Sequence, residues 1–154
     1  MDKKTETQLA NNIKKQFGKS LTQYGYKRTK PTFYTRLKDD RIEFIHLHKF
    51  TFGPKFRAHI GVRMFNDTFE AISLNGPDSD SFRRDYCLSY SEETIEIDKC
   101  VKELMRFYAD IGEPWFSNKE NYFIIRNKVG IDTTSSSDDY LLQSYKLLGI
   151  KNQV

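Results

Sequence analysis

The stretch Phe56-Arg57-Ala58-His59-Ile60-Gly61-Val62-Arg63-Met64 alternates without a break. Phe56, Ala58, Ile60, Val62 and Met64 fall on one side of an extended chain, and Arg57, His59, Gly61 and Arg63 fall on the other. That is the period of a β-strand with one face in a core. Upstream, Ile42-Glu43-Phe44-Ile45-His46-Leu47-His48-Lys49 reads as a second strand, and a short loop holding Gly53-Pro54 joins the two. A hairpin of this pair puts all three histidines of the chain, His46, His48 and His59, on one sheet face. Burying Ile45 and Leu47 turns His46 and His48 outward, whereas burying Phe44 would carry them inward at a desolvation cost, so the first choice is preferred. Same-face pairing then sets His59 opposite His46 or His48, because a slip of one residue would reverse the faces. Thr32 to Leu37 is a third strand, from which Tyr34 and Arg36 are expected to join the histidines. The expected surface is therefore Tyr34, Arg36, His46, His48, Arg57, His59 and Arg63.

Around this sheet the sequence predicts helices. Leu9, Ile13, Phe17 and Leu21 recur every four residues and mark a helix from about Thr5 to Tyr24. Thr5 with Gln8 fits a capping box, and Gly25 is placed to end the helix in the left-handed conformation. Phe69–Leu74 and Asp85–Tyr90 read as shorter strands. Ile97, Val101, Leu104, Met105 and Tyr108 stripe a helix over about 92–108, bounded by Gly112 and Pro114, with Trp115-Phe116 packing back onto the core. The run 132–139 is a polar linker, and a last helix spans about Asp138 to Leu148, with Gly149 as its stop. The order helix, antiparallel strands, helix, helix indicates one α+β domain over 1–154. It has an antiparallel sheet of about four or five strands, helices on one face, and helices at both ends of the chain. Its core covers about 5–117, and 118–154 forms a C-terminal extension.

Bulk properties bound the function. An aromatic content of 14% argues against disorder even with 30% charged residues. No apolar run approaches the ~20 residues of a membrane span, and no apolar signal core follows the first residues. The expected setting is the cytoplasm, with Cys87 and Cys100 as free thiols. The net charge of +4 is uneven: residues 1–63 carry 15 Lys/Arg against 5 Asp/Glu, and residues 64–154 carry 10 against 16. A basic half attracts anionic partners, or is simply a solvated helix face with strand ends.

Four chemistries fit the seven-residue surface. His46 and His48 with His59 across the ladder could supply three imidazoles to zinc or iron, although Arg57 and Arg63 beside them oppose a cation. Arg, His and aromatic residues together suit a nucleic acid or phosphate ligand. Tyr and Arg are also typical of protein interfaces. The plainest reading is a polar sheet face partly covered by the C-terminal helix. The glycines are isolated, so no phosphate loop is present. Asp78 and Asp80 read as a solvated turn, Asp138-Asp139 as a helix cap, and no catalytic residue or cofactor is assigned.

The segments Tyr24-Gly25-Tyr26-Lys27-Arg28, Phe33-Tyr34-Thr35-Arg36, Phe44-Ile45-His46-Leu47-His48-Lys49, Phe56-Arg57-Ala58-His59-Ile60-Gly61-Val62 and Gly112-Glu113-Pro114-Trp115-Phe116 together resemble the bacterial domain-of-unknown-function family numbered 4304. The resemblance covers about 60% of the chain and implies no catalytic residues. Similar members carry Asn or Gln where this chain has the three histidines, which implies a polar hydrogen-bonding face. By analogy, families of this kind include toxin-immunity proteins. The expected function is thus a non-enzymatic cytoplasmic module that recognises another protein, as an inhibitor or immunity protein does. The alternatives are a nucleic-acid or phosphate binder using Arg36, Arg57 and Arg63, and a metal-dependent enzyme on His46, His48 and His59. No membrane partner is expected.

Overall fold

The computed structural model describes residues 1–128 and 138–151. Helix α1 (Lys3–Leu21) leads into a four-stranded antiparallel sheet of β1 (Lys27–Lys30), β2 (Phe33–Leu37), β3 (Arg41–Lys49) and β4 (Phe56–Met64), in that spatial order. Then come α2 (Thr94–Phe107), a π-helical turn (Tyr108–Gly112), α3 (Glu113–Ser117), α4 (Lys119–Lys128) and α5 (Asp138–Leu147). The expected α+β class and terminal helices are observed.

Helix α1 buries Ala10, Ile13, Phe17 and Leu21 in one stripe. Its cap lies one turn before the expected box: the Asp2 carboxylate accepts from the Thr5 backbone N–H at 2.7 Å. Gly25 ends the following 3-10 turn at φ +88°, the left-handed geometry glycine adopts without a Cβ penalty. Strand β4 spans the alternating stretch from end to end. Strand β1 was not expected from the sequence, since Lys-Arg-Thr-Lys has no apolar alternation.

The first sheet face packs on α1 and α2. Tyr34, Ile45, Leu47, Phe56, Ala58 and Ile60 meet Ile13, Phe17, Cys100 and Leu104 in one core, with Phe116 returning onto it as expected. The second face is not left to solvent. Ile42 and Phe44 pack with Leu148, and Tyr145 and Ile150 close over them, so α5 lies across the sheet from α1 and α2. Gly61 sits opposite Phe44, and a Cβ there would fall 2.3 Å from the ring. The glycine is what lets the phenylalanine lie flat over its neighbour.

Residues 69–74 and 85–90 do not form strands. Instead the chain runs along the outer edge of β4 and satisfies it: the Ile60 N–H donates to Pro77 O, the Gly76 N–H to Ile60 O and the Phe56 N–H to Leu88 O. The Ser79 hydroxyl accepts from the Ala58 N–H, and the Asn75 amide bonds both backbone groups of Val62. An edge that could pair with another chain is thereby covered. Helix α5 begins at Asp138 and ends before Gly149 at φ +71°. The expected linker lies outside the described residues, apart from Asp138 and Asp139 at the start of α5.

Candidate functional site

The pairing of β3 with β4 sets His46 directly opposite His59, and His48 opposite Arg57. Phe33 of β2 lies opposite His46 from the other side. The result is a run of rings down the second sheet face. Phe33 and His46 have centroids 4.6 Å apart, His46 and His59 5.9 Å, His46 and His48 6.4 Å, and His48 and Phe50 6.0 Å. Arg57 closes the run, stacked over Phe50 at 5.2 Å and bonded through Nε to Asp80 at 2.7 Å. Asp78 caps the turn 79–82 by accepting from the Ser81 N–H. Both aspartates therefore have local structural partners.

Three of the seven expected surface residues are placed otherwise. Tyr34 pairs with Ile45 and Arg36 with Glu43, so both project from the first face, opposite to the histidines. Both faces of β2 carry an aromatic residue, and the register chose the parity. Tyr34 is fully buried, and its hydroxyl donates to Lys14 O at 2.7 Å. Arg36 is locked in a buried network. It bonds Glu43 through Nε at 2.8 Å and through Nη2 at 2.8 Å, Glu113 at 3.0 Å and Tyr24 O at 3.1 Å. Its plane stacks on Tyr26 at 4.6 Å. Glu43 also holds Arg41 at 3.3 Å, and Tyr108 donates to Glu113. The π-helical turn brings Tyr108 and Glu113 together here; such turns recur at functional sites, but this one serves a charge network. Arg63 does share the histidine face, yet only 2% of it is exposed. It donates to Ser144 Oγ, Ala71 O and Asp67 O at 2.9–3.0 Å.

His46, His48, His59 and Arg57 thus form the surface that remains. Burial, and then the charges of His59 and His48, lower the His46 pKa from 6.5 to about 4. Burial also lowers that of His59; Asp78 acts against this and Arg57 with it. The Nδ1 atoms of His46 and His59 are buried without a hydrogen-bond partner among the described residues, as is the Tyr26 hydroxyl. Among those residues no three His, Cys, Asp or Glu side chains are placed to hold a metal ion. Cys100 is buried, and its thiol is pushed up to about 12, first by burial, the reverse of an activated nucleophile. A groove of about 630 Å³ lies between β1–β2 and the C-terminal segment, lined by Lys27, Thr29, Thr35, Tyr145, Ile150 and Lys151.

No family model, curated protein or solved structure matches this chain. The geometry alone carries the functional argument. No helix of the described residues is long and apolar enough to cross a membrane.

Phe52 belongs to no strand or helix pattern in the sequence. It is 90% exposed at the tip of the β3–β4 hairpin, and a phenylalanine between Thr51 and Gly53-Pro54 belongs to neither strand face. That mismatch of residue type and position was the available signal.

The depressed His46 pKa has a measurable consequence. The unfolded chain binds a proton near pH 6.5 that the folded chain refuses until about pH 4, so stability falls as pH drops through that window. One pKa unit is worth ~1.4 kcal/mol. Because the ring is only half-buried, water screens part of the effect and leaves about 1–2 kcal/mol. The variant His46→Phe, flanked by Phe33 and Phe44, is expected to lose less stability than the parent between about pH 7 and pH 5. Urea titrations at the two pH values measure this. Equal losses in both proteins would place the acid sensitivity elsewhere.

Proposed function

We propose that this chain is a non-enzymatic binding module that recognises another protein through the β3–β4 hairpin and the adjoining open end of the histidine face. The observation that carries this reading is Phe52, almost wholly exposed at the hairpin tip. Beside it in the chain, Phe50 is sandwiched by His48, Lys55 and Arg57. Aromatic and arginine side chains supply most binding energy in protein interfaces. A phenylalanine held in water does nothing for the fold, and seated in a partner's pocket it becomes an anchor. The chain's role would be that of a cytoplasmic inhibitor or immunity-type protein, which blocks its target by contact and needs no catalytic residue. Nucleic-acid recognition through Arg36, Arg57 and Arg63 has less support, because Arg36 and Arg63 are held by internal partners and Arg57 by Asp80.

The test is a photo-crosslinking residue at position 52 in host cells, with the same residue at exposed Ile95 as comparison. The expected outcome is one adduct of defined mass from position 52 alone, lost in competition with unlabelled parent protein but not with Phe52→Asp. Absence of an adduct, or equal adducts from both positions, would refute the reading.

A further inference from the structure

The groove of about 630 Å³ between β1–β2 and the C-terminal segment has the volume of a small-molecule site. Both of its walls are fixed. On the sheet side, Lys27 lies opposite Thr35 in the β1–β2 ladder, and Thr35 lies opposite Phe44 of the second face. On the other side, the chain leaves α5 through Gly149 at φ +71°. A Cβ there would fall 2.5 Å from Thr29 O and 2.7 Å from Lys30 Cγ, so glycine is what lets this segment come so near β1. Leu148 O accepts from the Thr29 hydroxyl at 2.6 Å, and Leu148 itself packs with Ile42 and Phe44.

The lining is apolar and cationic together. Leu37, Tyr145 and Ile150 are its apolar part, with the Tyr145 ring held edge-on to Phe65. Lys27 and Lys151 line it as well, and no lining residue is acidic. Neither lysine has an ion-pair partner among the described residues. Charged residues on an edge strand discourage sheet-to-sheet pairing, which accounts for Lys27. It does not account for Lys151 on the facing segment. Thr35 is 4% exposed, and its hydroxyl reaches only Thr29 Oγ1, at 3.4 Å, beyond the length of an ordinary O–H···O bond. A buried hydroxyl so weakly bonded gains by donating to a better acceptor in the groove.

The donors that remain select the kind of anion. Phosphate sites are built from backbone N–H groups or an arginine fork. Here the Gly149 and Ile150 N–H groups are given to Lys146 O and Tyr145 O, and the Arg28 fork is given to Pro31 O at 3.1 and 2.7 Å. Two ammonium groups and one hydroxyl are left, beside apolar side chains. We propose that this groove binds a small organic carboxylate with an apolar body. Lys27 and the Thr35 hydroxyl hold the carboxylate, Lys151 adds the second positive charge, and the body lies along Leu37, Tyr145 and Ile150. The groove is separate from Phe52, and its test does not depend on a protein partner.

The experiment is a titration of the isotope-labelled full chain followed by amide NMR, with naphthoate as a flat probe, decanoate as a flexible one and naphthalenemethanol as the uncharged comparison. At least one of the two acids should give saturable shifts at the amides of Lys27, Thr35, Gly149 and Ile150, with a Kd on the order of 1 mM or tighter. The alcohol should bind about tenfold more weakly than naphthoate, or not at all. Lys27→Glu should weaken the acid by about tenfold or more, and Thr35→Val by about fivefold. Lys102→Glu on α2 should change it by less than about twofold. Lys27 is exposed, so its variant tests the site even if Thr35→Val fails to fold, and the amide dispersion of each variant shows which are folded. No saturable shift with either acid, shifts confined to other parts of the chain, equal binding of acid and alcohol, or binding of naphthyl phosphate with no binding of either acid would overturn the proposal.

Discussion

Glu43→Ala is expected to be the most damaging single change on the first sheet face, lowering stability by about 3–5 kcal/mol. Glu43 is 1% exposed and each of its oxygens holds a different arginine: Oε1 takes Arg36 at 2.8 Å, and Oε2 takes Arg41 at 3.3 Å. Removing the carboxylate leaves two guanidinium groups, with side chains only 11% and 16% exposed, facing each other across a cavity. Arg36 would still have Glu113 and Tyr24 O, and Arg41 would still have Asp40 and the Tyr122 ring at 4.1 Å. Those partners keep the loss nearer the lower end of the range. Replacing the pair together, as in Arg36→Met/Glu43→Leu, should recover much of it, because burying neither charge is less costly than burying one alone. Urea unfolding measures both. A Glu43→Ala loss below about 1 kcal/mol would mean that water enters the network freely and that the pair behaves as a surface one.

Arg63→Ala should lower stability by a similar amount, about 3–5 kcal/mol, and should also release α5. The Arg63 guanidinium is the only described link that joins β4, the segment 67–71 and α5 through one group. Its three bonds run to Ser144 Oγ, Ala71 O and Asp67 O, and the Asp67 carboxylate lies 3.8 Å away. Taking it away strands a fully buried serine hydroxyl and two carbonyls, and leaves the buried Asp67 carboxylate without its cation, bonded to the Phe69 N–H at 2.9 Å. Unmade bonds of buried groups carry the full desolvation penalty. Arg63→Lys should restore only part of the stability, since a point charge with three donors cannot span the same three acceptors. Hydrogen exchange separates this account from simple destabilisation. In Arg63→Ala the amides of 141–148 should exchange well ahead of those of β3 and β4. Uniform exchange across the chain would show that Leu148, Tyr145 and Ile150 hold the helix without the arginine.

The fold was legible where one physical demand dominated. The alternation of residues 56–64 could only be a strand with an apolar face, and the four-residue spacing of α1 could only be a helix. The shared face of the histidines followed from parity, which left His59 opposite His46 or His48, and the register of β3 with β4 selects His46. Legibility failed wherever a residue served two demands. Strand β2 has Phe33 on one face and Tyr34 on the next, and with both faces of the sheet covered, its alternation does not say which is which. Strand β1 has no apolar pattern because edge pairing, not burial, holds it. The capping box at Thr5 was plausible chemistry, but Asp2 offered the same bond one turn earlier.

The sequence by itself determined the α+β class, the β3–β4 hairpin, the shared face of His46, His48 and His59, and the segregation of basic from acidic residues. Each of these rests on spacing over a few residues, or on composition. Only the tertiary structure decided that Arg36 and Arg63 are internal clamps and not surface cations, and that α5 lies across the sheet from α1. Glu43 is seven residues from Arg36 and Ser144 is eighty-one from Arg63. Whether a charge meets water or a partner depends on which distant segment arrives beside it, and no local period encodes that.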